Sequence, residues 1–219
     1  KPEQIVETLT SRTIMEFDIG TINDRTFLSI VGVGFDAEVV RRVSAERTGH
    51  ISHLSYFWPI WRTFWEHDFP AIAVSADGED IFAGEGLVFV GNIRRYSSGL
   101  RICSRASCND GKLDLVIFKC GSQGRLVIHS LLTLLNRHPI QRDVIYRTAE
   151  HIMIATEKPL TCEVDGDVGP VTPLEIAMSR QKIRLILPQR TTGISRLIDR
   201  ILPYRFMSGH GTLSGSKKP

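Results

Sequence analysis

The residues best suited to do chemistry in this chain lie in two acidic turns. The first is Ser107-Cys108-Asn109-Asp110-Gly111-Lys112-Leu113-Asp114, which runs straight into Leu115-Val116-Ile117-Phe118. The second is Val164-Asp165-Gly166-Asp167. Asp-Gly signals a tight turn, because glycine accepts positive φ while aspartate folds its side chain back onto the backbone. Carboxylates gathered on turns also supply hard oxygen donors and proton acceptors. Either these are two ordinary hairpins, or they converge on one site.

The elements that must position them are mostly strands. Met15-Glu16-Phe17-Asp18-Ile19 alternates with period two and Gly20 closes it, while Ile5 to Leu9 suits a short helix or a strand. After a turn at Asn23-Asp24-Arg25, the stretch Thr26 to Phe35 reads as one β-branched strand. Asp36 is a plausible N-cap for a helix with Val39, Val40 and Val43 on one stripe, a role it suits better than that of a catalytic acid. Leu54, Trp58, Trp61 and Trp65 fall on one face of a second helix, with Pro59 in its first turn. Core packing is the expected use of that face, and membrane docking the alternative.

From Pro70 onward the period is two. Ile72 and Val74 precede an Asp77-Gly78 hairpin and a return from Ile81-Phe82, and Leu87 to Val90 suits a strand covered on both faces. Leu100 to Cys103 reads as a short strand and Leu113 to Phe118 as a longer one. Ser122 is positioned to cap a helix bearing Leu126, Val127, Ser130, Leu131, Leu134 and Leu135 on one face, ended by His138-Pro139. Strands are expected at Val144 to Arg147, His151 to Thr156 and Leu160 to Val164. A closing hairpin is expected from Glu175 to Met178 and Lys182 to Leu187. Ile194, Leu197, Ile198, Ile201 and Leu202 form an amphipathic helix, and 208–219 reads as a disordered tail.

Composition narrows the classes of function. At 219 residues with 42% apolar content the chain can bury a sizeable core. The net charge of +3 is spread without a basic, aromatic-interleaved stripe, which argues against nucleic acid. Cys103, Cys108, Cys120 and Cys162 have no metal-like spacing, so they are expected as buried, reduced thiols of a cytoplasmic protein. No run approaches the roughly 20 apolar residues of a membrane span. The scattered histidines, such as His50, His53 and His67, form no metal motif. Because the sequence opens on Lys1-Pro2-Glu3, an upstream part is expected to lie outside it.

Four stretches in this order, FLSIVGVGFDAEVV (27–40), LVFVGN (87–92), GLRICSRASCNDGKLD (99–114) and VDGD (164–167), resemble the carboxy-terminal half of the diacylglycerol kinase catalytic family, which includes bacterial lipid kinases and sphingosine kinases. The resemblance implies a mainly β (α+β) fold: an antiparallel β-sandwich with a few peripheral helices, the second domain of the lipid kinase and NAD kinase-like architecture. That domain would cover 1–207, with 182–207 packing on an amino-terminal α/β domain that carries a Gly-Gly-Asp-Gly-Thr nucleotide loop. No such loop occurs in these 219 residues.

Position by position, the resemblance makes Asp110 a ligand of a structural magnesium, together with the main-chain carbonyls of Ser107 and Lys112. It places Asp167 where the family has the glutamate that accepts the proton of a lipid hydroxyl, with Asp165 either assisting through metal-bound water or serving the turn. Aspartate is one methylene shorter, a retreat of about 1.5 Å that matters to a base acting within about 3 Å. The implied cofactors are Mg2+ and ATP. The implied partners are a lipid substrate, the nucleotide domain and the membrane surface, where a cytoplasmic protein would sit peripherally. The other outcome is a noncatalytic lipid- or partner-binding module descended from the family.

Overall fold

The computed structural model describes residues 2–10, 13–45, 57–94 and 100–187. In chain order these form α1 (Pro2–Thr10), β1 (Thr13–Ile22), β2 (Arg25–Phe27), β3 (Ile30–Val33), α2 (Phe35–Ala45), α3 (Phe57–Glu66), β4 (Ala71–Ala76) and β5 (Glu79–Gly91). After β6 (Leu113–Lys119) and α4 (Gln123–Leu134) come β7 (Val144–Ala149), β8 (His151–Thr156), β9 (Thr161–Val164), β10 (Asp167–Val171) and β11 (Leu174–Leu187). The sheet runs β10-β9-β3-β5-β4-β8-β11-β1-β2, and β6 joins β5 to β7. Its pairings are antiparallel throughout, the sandwich-like arrangement expected of the sequence.

One strand belongs to both faces. The first half of β5 pairs with β4, from Ala76↔Glu79 to Ala71↔Glu85, and the second half pairs with β3 and β6. The exchange falls at Gly84 to Gly86, where Gly84 has φ +155 and a Cβ on Gly86 would lie 2.8 Å from the Phe118 carbonyl oxygen. Between the curled faces Ile22, Phe27, Val90, Leu115, Ile154 and Ile176 form an apolar core. A second core, including Phe89, Val116, Phe118 and Leu126, covers the other side of β5 and β6. That double cover accounts for the unbroken apolar runs at 87–90 and 115–118.

Several elements depart from the sequence reading. Gly20 does not close β1, which continues through a register shift between Asp18 and Gly20. The single strand expected from Thr26 divides into β2 and β3, broken at Leu28-Ser29. Asp36 is not the cap of α2 but lies inside its first turn. Leu100 to Cys103 is not a strand, and the closing hairpin is one continuous β11, because β1 offers a partner along nearly its whole length. Ser122 does cap α4, accepting from Arg125 N at 3.4 Å. The four cysteines are free and buried.

The helix faces are the largest departure. Trp58, Trp61 and Trp65 are exposed while Thr63 is fully buried, so the tryptophan stripe is not core. On α4, Leu126 is buried as expected, but Val127, Leu131, Leu134 and Leu135 are exposed and His129 and Thr133 face inward. The expected helix at Ile194 to Leu202 and the tail at 208–219 lie outside the described residues.

The register shift in β1 depends on a close approach. The Phe27 ring, 1% exposed, lies where a Cβ on Gly20 would sit. Gly20→Ala is expected to destabilise the fold by about 1–3 kcal/mol, read as a lower urea midpoint. An unchanged midpoint would contradict that seating of Phe27.

Candidate functional site

The break between β2 and β3 leaves successive backbone N–H groups without ladder partners, and the second acidic turn supplies the acceptor. Asp165 holds φ 51 and Gly166 φ 93 at the β9-β10 reversal, the left-handed pair that a two-residue hairpin needs. One Asp165 carboxylate oxygen accepts from Leu28 N at 2.8 Å, and the other from Ser29 N at 2.8 Å and Ile30 N at 2.9 Å. Asp165 N donates back to Ile30 O at 3.0 Å.

The first acidic turn reaches the same two-residue loop from the other side. Gly111, at φ 73, donates its N–H to Asp18 Oδ2 at 2.7 Å, and Asp18 N donates to Cys108 O at 2.7 Å. Asp18 is 1% exposed, and its other carboxylate oxygen meets Lys182 Nζ at 2.8 Å. Asn92, fully buried, donates its side-chain amide to Asp18 O at 2.8 Å and Leu28 O at 3.0 Å, and its own N–H to Ser29 O at 2.9 Å. A continuous relay therefore runs from Gly111 through Asp18, Asn92 and Leu28-Ser29 to Asp165. The two turns belong to one hydrogen-bonded unit.

Of the residues singled out in the sequence, Asp110 and Asp167 are exposed and stand outside the relay. Asp110 Oδ1 accepts from Lys112 N at 3.2 Å, and Ser107 Oγ donates to Asn109 Oδ1 at 3.0 Å, so the first turn is closed on itself. Among the described residues no group of three or more His, Cys, Asp or Glu side chains is arranged to hold a metal ion. An ion here would rest on one carboxylate, main-chain carbonyls and water. Those hard oxygens suit Mg2+, which keeps several of its waters, so the donor types at the turn fit that ion.

Two acidic residues behind the turns, Glu163 and Asp114, take structural roles that the sequence did not disclose. Glu163 is fully buried, with one oxygen accepting from Gly166 N and the other unpaired among the described residues. That unpaired oxygen and Asp36 Oδ2 lie 3.2 and 3.1 Å from the place a Cβ on Gly32 would take. Burial, reinforced by Asp36, pushes Glu163 up to about 8. Asp114 is 1% exposed and bonded to Tyr146 at 2.6 Å. Burial raises it to about 6, although the tyrosine hydroxyl favours its ionised form.

An antiparallel curled sheet that binds two acidic turns into one hydrogen-bonded unit defines a β-sandwich-like domain. The family described as the YegS C-terminal NAD kinase beta sandwich-like domain matches residues 29–187, and the chain belongs to it. A diacylglycerol kinase of Bacillus subtilis (strain 168) is 22% identical over 184 residues, which cover 84% of this chain and 60% of that protein. A diacylglycerol kinase of Staphylococcus carnosus (strain TM300) is 24% identical over 178 residues, 80% of this chain and 57% of that one. A crystal structure of a Bacillus anthracis diacylglycerol kinase shares the fold with TM-score 0.55 at 19% identity, over 82% of this chain and 56% of that chain. The chain thus spans about three fifths of the length of the curated relatives just described.

The raised pKa of Glu163 has a defined sign. Between about 4.5 and 8 the folded protein keeps this proton while the unfolded chain releases it, so its contribution is full below 4.5 and is lost as pH rises to about 8. Glu163→Gln is expected to flatten the fall in thermal midpoint over that window and to exceed the parent at pH 8. A parallel pH profile in the variant would contradict a protonated Glu163.

Proposed function

We propose that the chain is the carboxy-terminal part of an ATP-dependent lipid kinase, in which the γ-phosphoryl group of ATP passes to a lipid hydroxyl. The observation that carries this reading is the relay joining the two acidic turns, in a chain that belongs to a lipid kinase family. Phosphoryl transfer is catalysed mainly by positioning and charge stabilisation, so a site on turns works only if the turns are fixed relative to each other.

In this reading Asp167, exposed at the first position of β10, accepts the hydroxyl proton as that oxygen attacks the γ-phosphorus and ADP leaves. A water between carboxylate and hydroxyl spans the methylene that aspartate lacks relative to glutamate. Asp165 is assigned to position the turn, because its oxygens already serve three N–H groups. Asp110 with the carbonyls of Ser107 and Lys112 would hold a structural Mg2+, which when bound would fix the first turn. ATP would be bound mainly by an amino-terminal nucleotide domain.

A lipid suits the apolar cleft of about 480 Å³ lined by Phe35, Leu87, Phe89, Phe118 and Leu126, with Asp36 at its edge. Among the described residues no helix is long and apolar enough to cross a membrane.

The chain alone is expected not to phosphorylate diacylglycerol, since it carries no Gly-Gly-Asp-Gly-Thr loop. Fused behind the amino-terminal half of the Bacillus subtilis relative, it should do so in a Mg2+-dependent way. In that fusion Asp167→Asn should lower kcat by about 10²–10⁴-fold, and Asp110→Asn should raise the Mg2+ concentration required. A fusion that remains inactive with either aspartate or glutamate at 167, while still binding lipid, would point to the noncatalytic module instead.

A further inference from the structure

Helices α3 and α4 are built inside out. A helix lying on a globular core ordinarily turns its large apolar residues inward and its polar ones to water. On α3 the reverse holds: Trp58, Ile60, Trp61 and Trp65 are 61, 42, 47 and 60% exposed, whereas Thr63 is completely buried. On α4, Val127, Ile128, Leu131, Leu134 and Leu135 follow the i, i+1, i+4, i+7, i+8 spacing of one face, and they are 45 to 70% exposed. Its inward face carries Leu126, His129 and Thr133, with His129 Nε2 bonded to Lys119 O at 3.1 Å. Ile60 and Phe64 of α3 face residues of α4 across the mouth of the apolar cleft. The two outward apolar faces therefore bracket one opening.

Charge and side-chain type decide what covers them. All three tryptophans of the chain lie on α3 and are exposed. Tryptophan, with an apolar body and a polar N–H, favours the boundary between acyl chains and headgroups. From Cys120 to Arg142 there is no Asp or Glu, while Arg125, Arg137 and Arg142 are all exposed. Of these, Arg125 meets Asp143 at 3.2 Å. On α3 Arg62 pairs with Glu66 at 2.9 Å, so among the described residues the cations beside the apolar faces that are not matched in this way are Arg137 and Arg142, and with the tryptophans they complement an anionic lipid surface.

We infer that the outward faces of α3 and α4 together form a docking surface for an anionic membrane, holding the mouth of the cleft against the bilayer. The inference rests on the lipid kinase reading for what enters the cleft, but its test needs no turnover.

Because tryptophan occurs only on α3, its fluorescence reports this surface alone. The 219-residue chain should sediment with vesicles of equal parts phosphatidylglycerol and phosphatidylcholine, and brominated acyl chains should quench its tryptophans. Vesicles of phosphatidylcholine alone should bind more weakly. Replacing Trp58, Trp61 and Trp65 by serine, or separately Leu131, Leu134 and Leu135 by serine, should weaken sedimentation at least about tenfold (~1.4 kcal/mol). The thermal midpoint should not fall in either variant, because these side chains are exposed.

No sedimentation, equal binding to both vesicle types, or sedimentation without quenching would overturn the inference. So would a dimer that either triple variant dissolves, or vesicle binding that appears only after removal of 188–219, since each shows a different occupant of the face. If instead docking is intact and the fusion cannot phosphorylate a short-chain diacylglycerol in solution, the kinase reading fails and the docking surface stands.

Discussion

A strand that breaks inside a sheet must place its freed N–H groups somewhere, and in this protein that obligation falls on Asp165. At Leu28-Ser29 the chain passes from one face of the curled sheet to the other, from β2 beside β1 to β3 beside β5 and β9. Three consecutive N–H donors converge on one carboxylate, a charge-assisted arrangement stronger than bonds to neutral acceptors. The carbonyls of the same break go to Asn92. Each half of the loop thereby fixes one acidic turn, so the geometry of the site follows from how the sheet changes faces.

The charges around this junction are arranged in depth. Asp18 is buried but answered by Lys182 and Gly111 N. Glu163 is buried without such an answer on one oxygen, and burial with Asp36 nearby favours its neutral form. A neutral Glu163 spares the β9-β10 turn a second buried anion beneath Asp165 and Asp167. The carboxylates left in water, Asp110 and Asp167, are those available to a ligand.

Much of this organisation was legible in the sequence. The Asp-Gly turns, the doubly covered strand at Leu87 to Val90 and the Ser122 cap rest on local chemistry, and each appears in the structure. What the sequence hid depends on contacts distant along the chain. Asp18 sits on the polar side of an alternating strand, and it is buried only because the Cys108 to Gly111 turn folds over it. Asn92 merely follows an apolar run in the sequence, yet its amide ties residues 74 and 64 positions away. Periodicity found the apolar stripes of α3 and α4 but could not tell which way they face, since a stripe reads the same toward core or solvent.

The central claim is that the two acidic turns form one mechanical unit joined at Asn92. Hydrogen exchange in Asn92→Ala, followed peptide by peptide under native conditions, tests it most directly. The account predicts faster exchange both at 107–112 and at 163–167, with the β4-β8 pairing unchanged. Faster exchange at the first turn alone, with 163–167 as protected as in the parent, would contradict it.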